Sequence, residues 1–251
     1  MCHEPDSSPP IPRIYGAAVS HEDLVLEAID GNRFAAFAAS PEEPGGAGVV
    51  ILPDIRGLYR FYEELALRFA ERGHTAVAID YFGRTAGVSK RGDDFEFMPH
   101  VEQTTQAGVQ ADTRAAAERL RSAGCSSVFT VGFCFGGRNA WLTATAELGL
   151  AGAIGFYGRP GPFQDGSPGP IQRVSELRAP ILALMGGDDP SIPVEDAEAF
   201  DRALDDAGVV HEVVIYPGAP HSFFDRKYEE FADASADAWD RVLAFLEQHD
   251  S

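Results

Sequence analysis

Cysteine is scarce in this chain. Only three stand among 251 residues: Cys2 near the start, and Cys125 and Cys134 further in. An odd, scattered set offers no disulfide framework, so a reducing compartment is expected, the cytoplasm first. No apolar run approaches the ~20 residues of a transmembrane helix. The polar opening Met1-Cys2-His3-Glu4-Pro5-Asp6 has no basic stretch leading into an apolar one, so no secretory signal is expected. Positive charge is scarce too. Lys and Arg number 20 against 39 Asp and Glu, a formal net charge of −19. That balance speaks against nucleic acid and anionic membranes as partners. An anionic small molecule would need local arginines to hold it. Metal-ligand spacing, a Walker loop and His-Glu-x-x-His are all missing. Gly45-Gly46-Ala47-Gly48 precedes a strand, the wrong side for a dinucleotide fingerprint. No cofactor and no metal are therefore expected. Nothing suggests a large exposed apolar surface, so a monomer is the default.

What is present is a strand–helix alternation. Residues 1–13 read as a proline-rich arm, disordered or draped, and the arm region is set at 1–20, before one domain over 21–251. Leu24–Ile29 and Arg33–Phe37 read as a hairpin around Asp30-Gly31-Asn32. Short apolar runs predict strands at 49–52, 75–80, 127–131, 150–157, 181–185 and 211–216. Helical spacing predicts helices over 59–72, capped by Gly73, and over 104–123, 194–207 and 228–248, with one more starting near Arg138. Residues 81–103 read as irregular, and 158–170 as a Gly/Pro-rich rim loop. The pattern implies an α/β fold with a mostly parallel, doubly wound sheet flanked by helices. Functional residues then belong at the carboxyl ends of strands.

One such end stands out. Val128-Phe129-Thr130-Val131 runs into Gly132-Phe133-Cys134-Phe135-Gly136-Gly137. This is a nucleophile-elbow pattern, Gly-x-nucleophile-x-Gly, with cysteine in the nucleophile's place. Its glycines make room for a turn too tight for side chains two residues either side. A thiol there would meet a helix N-terminus, whose dipole favours thiolate. The plain structural alternative is a buried, inert cysteine.

A nucleophile needs a base, and the base needs an orienting acid, in the chain order nucleophile, acid, histidine. Three histidines follow Cys134: His211, His221 and His249. His221 is the candidate, because Pro220-His221-Ser222-Phe223 follows the last strand. The acid falls in Gly186-Gly187-Asp188-Asp189-Pro190, with Asp189 preferred to Asp188; helix N-capping is the competing use. Backbone N–H groups of Phe135 and Ile55 would form the oxyanion hole. Asp54, beside Ile55, would face the thiol and hold its proton at rest, unless it merely caps the helix that follows.

These residues resemble the dienelactone hydrolase family (carboxymethylenebutenolidases), within the α/β-hydrolase fold, over nearly the whole chain after residue 20. The elbow, Gly186-Gly187-Asp188-Asp189, Pro220-His221-Ser222-Phe223 and the Phe156-Tyr157-Gly158 step carry the likeness. The resemblance implies a Cys134–His221–Asp189 triad acting on an ester or enol-lactone through a thioester. It further implies that the family's thiol-paired glutamate falls at Asp54, one methylene shorter. The substrate carboxylate would be gripped by Arg84 and Arg226, with Tyr157 beside the substrate. Two other readings stand next to this one: a general small-molecule carboxylesterase or thioesterase on the same scaffold, and a catalytically silent binding module with an oxidisable Cys134.

Overall fold

In the computed structural model, the described residues are all but Met1, Cys2, Pro5, Pro44, Gly45, Gln164 and Ser251. Cys2 and Gly45 of the sequence reading thus lie outside them. The chain opens with a long antiparallel hairpin, β1 (Val19–Glu27) and β2 (Arg33–Pro41). It then alternates: β3 (Ala47–Leu52), α1 (Arg60–Ala70), β4 (Thr75–Ile79), α2 (Gly83–Ala86), α3 (Met98–Val101), α4 (Gln106–Ser122), β5 (Ser127–Phe133), α5 (Phe135–Thr143) and β6 (Gly152–Phe156). β7 (Ile181–Gly186), α6 (Val194–Ala207), β8 (His211–Tyr216) and α7 (Ala232–His249) complete it.

The eight strands make one sheet in the order β1-β2-β4-β3-β5-β6-β7-β8. β2 pairs with β4 antiparallel, and every pairing from β4 to β8 is parallel. This is the α/β-hydrolase arrangement. Central strands bury both faces, so their sequences are continuous apolar runs. In β3, Val49 and Ile51 enter one apolar cluster with Phe61 and Phe69 of α1, while Val50 and Leu52 enter another with Val109 and Leu120 of α4. The pleat alone produces that division.

Register then sets the site. Leu52 is paired with Gly132, and Phe133 with Phe156, which in turn pairs with Leu184. The loops after β3, β5, β6 and β7 therefore leave the sheet side by side at its carboxyl edge. β3 has β4 on one flank and β5 on the other, so chain direction diverges there, a place where an α/β sheet opens a crevice.

Several sequence expectations are corrected. The hairpin is longer than 24–37. Residues 81–103 contain two short helices, because Arg84 and the Phe95/Phe97 pair tie them down locally. The elbow helix starts at Phe135, directly after Cys134. The last helix starts at Ala232, after a short 3-10 turn at Glu229–Phe231. α1 has its C-cap at Glu71, and Gly73 (φ +89°) turns the chain two residues later. The arm is docked, with His3, Ser7 and Ile11 each 2% exposed. Among the described residues, no helix is long and apolar enough to cross a membrane.

Candidate active site

Cys134 occupies the turn between β5 and α5 at φ 55°, ψ −113°. A side chain at Gly132 would put its Cβ 2.0 Å from the Gly136 carbonyl oxygen; one at Gly136 would fall 2.1 Å from that of Leu52. Both clashes are with backbone, so glycine is required at each. The Cys134 N–H donates to the Phe156 carbonyl at 3.0 Å, which holds the turn against β6. Among the described residues, only three non-glycines have positive φ: Cys134, Tyr157 (37°) and Ser222 (63°). They belong to the elbow, the end of β6 and the residue after His221. Such conformations cost roughly 1–3 kcal/mol each and persist where the surroundings over-determine them.

His221 Nδ1 lies 2.5 Å from Asp189 Oδ2. The carboxylate accepts only, so Nδ1 carries the proton and Nε2 is left as an acceptor. Asp189 is 7% exposed, and its other oxygen accepts the Ser191 N–H at 2.8 Å. Its neighbour Asp188 is exposed, with its N–H given to the Ala219 carbonyl. The N-cap of α6 is Pro193, so helix capping is not what occupies Asp189.

A cavity of about 300 Å³ opens at this edge of the sheet. Cys134, His221 and Tyr157 line it together with Ile55 and Phe135, both expected oxyanion-hole residues. Arg138, Arg159, Ser191 and Ile192 complete the wall. The two arginines were not foreseen. Arg138 lies one helical turn after Cys134, 7% exposed; its guanidinium stacks over Phe163 at 3.5 Å and donates to the Gly161 carbonyl at 2.8 Å. Burial, then repulsion from Arg159, pushes it down to about 10, so it stays cationic at neutral pH. Its Nε is buried with no hydrogen-bond partner among the described residues. Arg159 follows Tyr157-Gly158 off β6, and the strand-end rule pointed to that position.

The three other anticipated groups are engaged elsewhere. Arg84 bonds Asp112 at 2.8 Å and also pairs with Asp30, fastening the β1–β2 turn to α4. Arg226 is exposed and donates to the Pro9 carbonyl at 3.2 Å. Neither is on the cavity wall. Asp54 is fully buried. One oxygen accepts the Arg56 N–H at 2.9 Å and the other the Tyr59 hydroxyl at 3.1 Å, and Asp54 too is absent from that wall. Burial raises its pKa, against the pull of His3 and Arg56.

Comparison with known proteins fits this geometry. The family model described as the dienelactone hydrolase family matches residues 34–250. A Salmonella typhimurium protein provisionally named carboxymethylenebutenolidase is 32% identical over 231 residues, 87% of this chain and 84% of its own. A Saccharolobus solfataricus protein with the same provisional name is 30% identical over 86% of this chain and 95% of its own. A Klebsiella pneumoniae crystal structure, provisionally titled a dienelactone hydrolase, superposes with a TM-score of 0.80 at 28% identity, covering 92% of this chain and 99% of that one. With a family match across most of its length and relatives at this identity, the chain belongs to the dienelactone hydrolase family.

Proposed function

We propose that this protein hydrolyses a small ester or enol-lactone bearing an anionic group, using Cys134 as nucleophile, His221 as base and Asp189 as its orienting acid. The observation that carries the reading is the 2.5 Å Asp189–His221 contact opening onto the same cavity as the strained Cys134. Nε2 of His221 takes the thiol proton, and sulfur bonds the carbonyl carbon. The oxyanion is held by the N–H groups of Phe135 and Ile55, one such donor lowering the barrier by about 3 kcal/mol. The carbon–oxygen bond then breaks, and the leaving oxygen takes the proton from His221. Water, deprotonated by His221, cleaves the thioester and restores the thiol.

Arg138 and Arg159 would hold the anionic group. In a chain of net charge −19, two cations on one cavity wall mark where a negative group is tolerated. Cys125 and Cys134 are both free thiols, in keeping with a reducing compartment such as the cytoplasm.

A second reading, a general carboxylesterase or thioesterase, is favoured by Arg84 and Arg226 being committed elsewhere. The test is hydrolysis of dienelactone beside p-nitrophenyl acetate by wild type, Cys134→Ala and Arg138→Ala. Lactone turnover that exceeds ester turnover and disappears in Cys134→Ala supports the first reading. Ester turnover alone supports the second, and full activity in Cys134→Ala removes both.

A further inference from the structure

His3 is remote from the catalytic face in sequence and packed behind it in space. Its ring is 2% exposed and stacks on Phe61 with centroids 3.8 Å apart. Nε2 lies 3.0 Å from the Tyr157 hydroxyl, and Nδ1 faces Asp225 Oδ2 at 3.6 Å. Burial raises the Asp225 carboxyl, but His3 and Ser7 beside it outweigh that and hold it below the usual carboxylate range. At 3.6 Å the Asp225 contact is electrostatic rather than a hydrogen bond, and Nδ1 has no hydrogen-bond partner among the described residues. The facing carboxylate favours the tautomer with the proton on Nδ1, in which Nε2 accepts from the Tyr157 hydroxyl.

Tyr157 is the link to the site. It is fully buried, has positive φ, and donates its N–H to the Leu184 carbonyl at 2.8 Å. Its ring lies 5.0 Å from the ring of His221. The arm carrying His3 is also fastened to the loop that follows His221. The Arg226 N–H donates to Ser8, and Lys227 reaches Glu4 at 2.9 Å. An apolar side chain would fill the space on Phe61 without the desolvation that a buried imidazole and carboxylate entail. Polar groups held there at that cost point to alignment rather than filling.

We propose that His3 is a positioning residue: backed by Asp225, it holds Tyr157 against His221, making the N-terminal arm a working part of the catalytic face. The inference rests on the proposed role of His221, and its test separates the two. Kinetics on p-nitrophenyl acetate would compare wild type, His3→Ala, His3→Gln, Tyr157→Phe and the His3→Ala/Tyr157→Phe pair. His3→Ala is expected to lower kcat about tenfold, as small misplacements of catalytic groups do, with KM within about twofold. His3→Gln, whose amide oxygen also accepts from the tyrosine, recovers most of the loss. The double variant loses no more than about twofold beyond the worse single, because both remove one contact. Losses that multiply, or an unchanged kcat in folded His3→Ala, overturn the proposal. The ¹H–¹⁵N signals of the His221 imidazole give a readout independent of turnover. A shift in His3→Ala, reversed in His3→Gln, supports the positioning even if the ester is not a substrate, and unmoved signals overturn it.

Discussion

Two histidines, each facing an aspartate, stand on either side of Tyr157, and their surroundings differ. His221 meets Asp189 at 2.5 Å and faces the cavity; His3 meets Asp225 at 3.6 Å and is sealed against Phe61. The chemical parts are the same. Access separates them: a base must reach the atom it deprotonates, and of the two only His221 shares a cavity wall with Cys134. The sealed pair can influence chemistry only through what it touches.

The largest effect expected is on the open side. His221→Ala is expected to lower kcat/KM for an activated ester by about 10⁴-fold, and Asp189→Asn, which spoils the tautomer, by about a thousandfold. Steady-state kinetics on both would break the comparison if Asp189→Asn proved no worse than its sealed counterpart. Next comes charge. Arg138→Ala is expected to reduce kcat/KM for an anionic ester by ten- to a hundredfold, the loss of a charge-assisted contact of about 1.5–3 kcal/mol, while a neutral ester changes within about twofold. Paired assays on the two esters check it.

On the sealed side, Asp225→Asn is expected to lower kcat only about fivefold while costing about 1–3 kcal/mol of stability, read as a lower denaturant midpoint. The smallest effect belongs to a carboxylate outside both pairs. Burial, opposed by Asn32 and Arg84, raises Asp112 to about 6. A carboxyl raised on folding favours the native state below its unfolded pKa and loses that contribution as pH climbs through the folded value. The Tm difference between Asp112→Asn and wild type should therefore grow in the variant's favour between pH 4 and pH 7 and then level, at unchanged kcat. Calorimetry across that range checks the sign.

The elbow was legible because Gly132 and Gly136 are local necessities: a Cβ at either would meet backbone. The strands were legible because sheet burial on both faces leaves continuous apolar runs. Asp189 and His221 were chosen by chain order and by their places in the loops after successive strands, with Asp189 preferred to Asp188, whose exposure only the fold displays. The arginines show the limit. Arg84 and Arg226 lie at plausible spacings but are held by Asp112 and Pro9, partners 28 and 217 residues away in sequence. Arg138 looked like an ordinary helix residue, and nothing periodic marks His3.

The sequence by itself determined the alternation of strands and helices, the glycine-flanked thiol and the chain order of Cys134, Asp189 and His221 at strand ends, since each depends on residues close in the chain or on burial shared by a whole strand. Tertiary structure alone decided which cations reach the cavity and what lies behind Tyr157. Those outcomes depend on strand register and on where a distant arm docks, and no local pattern encodes a contact made across more than a hundred residues.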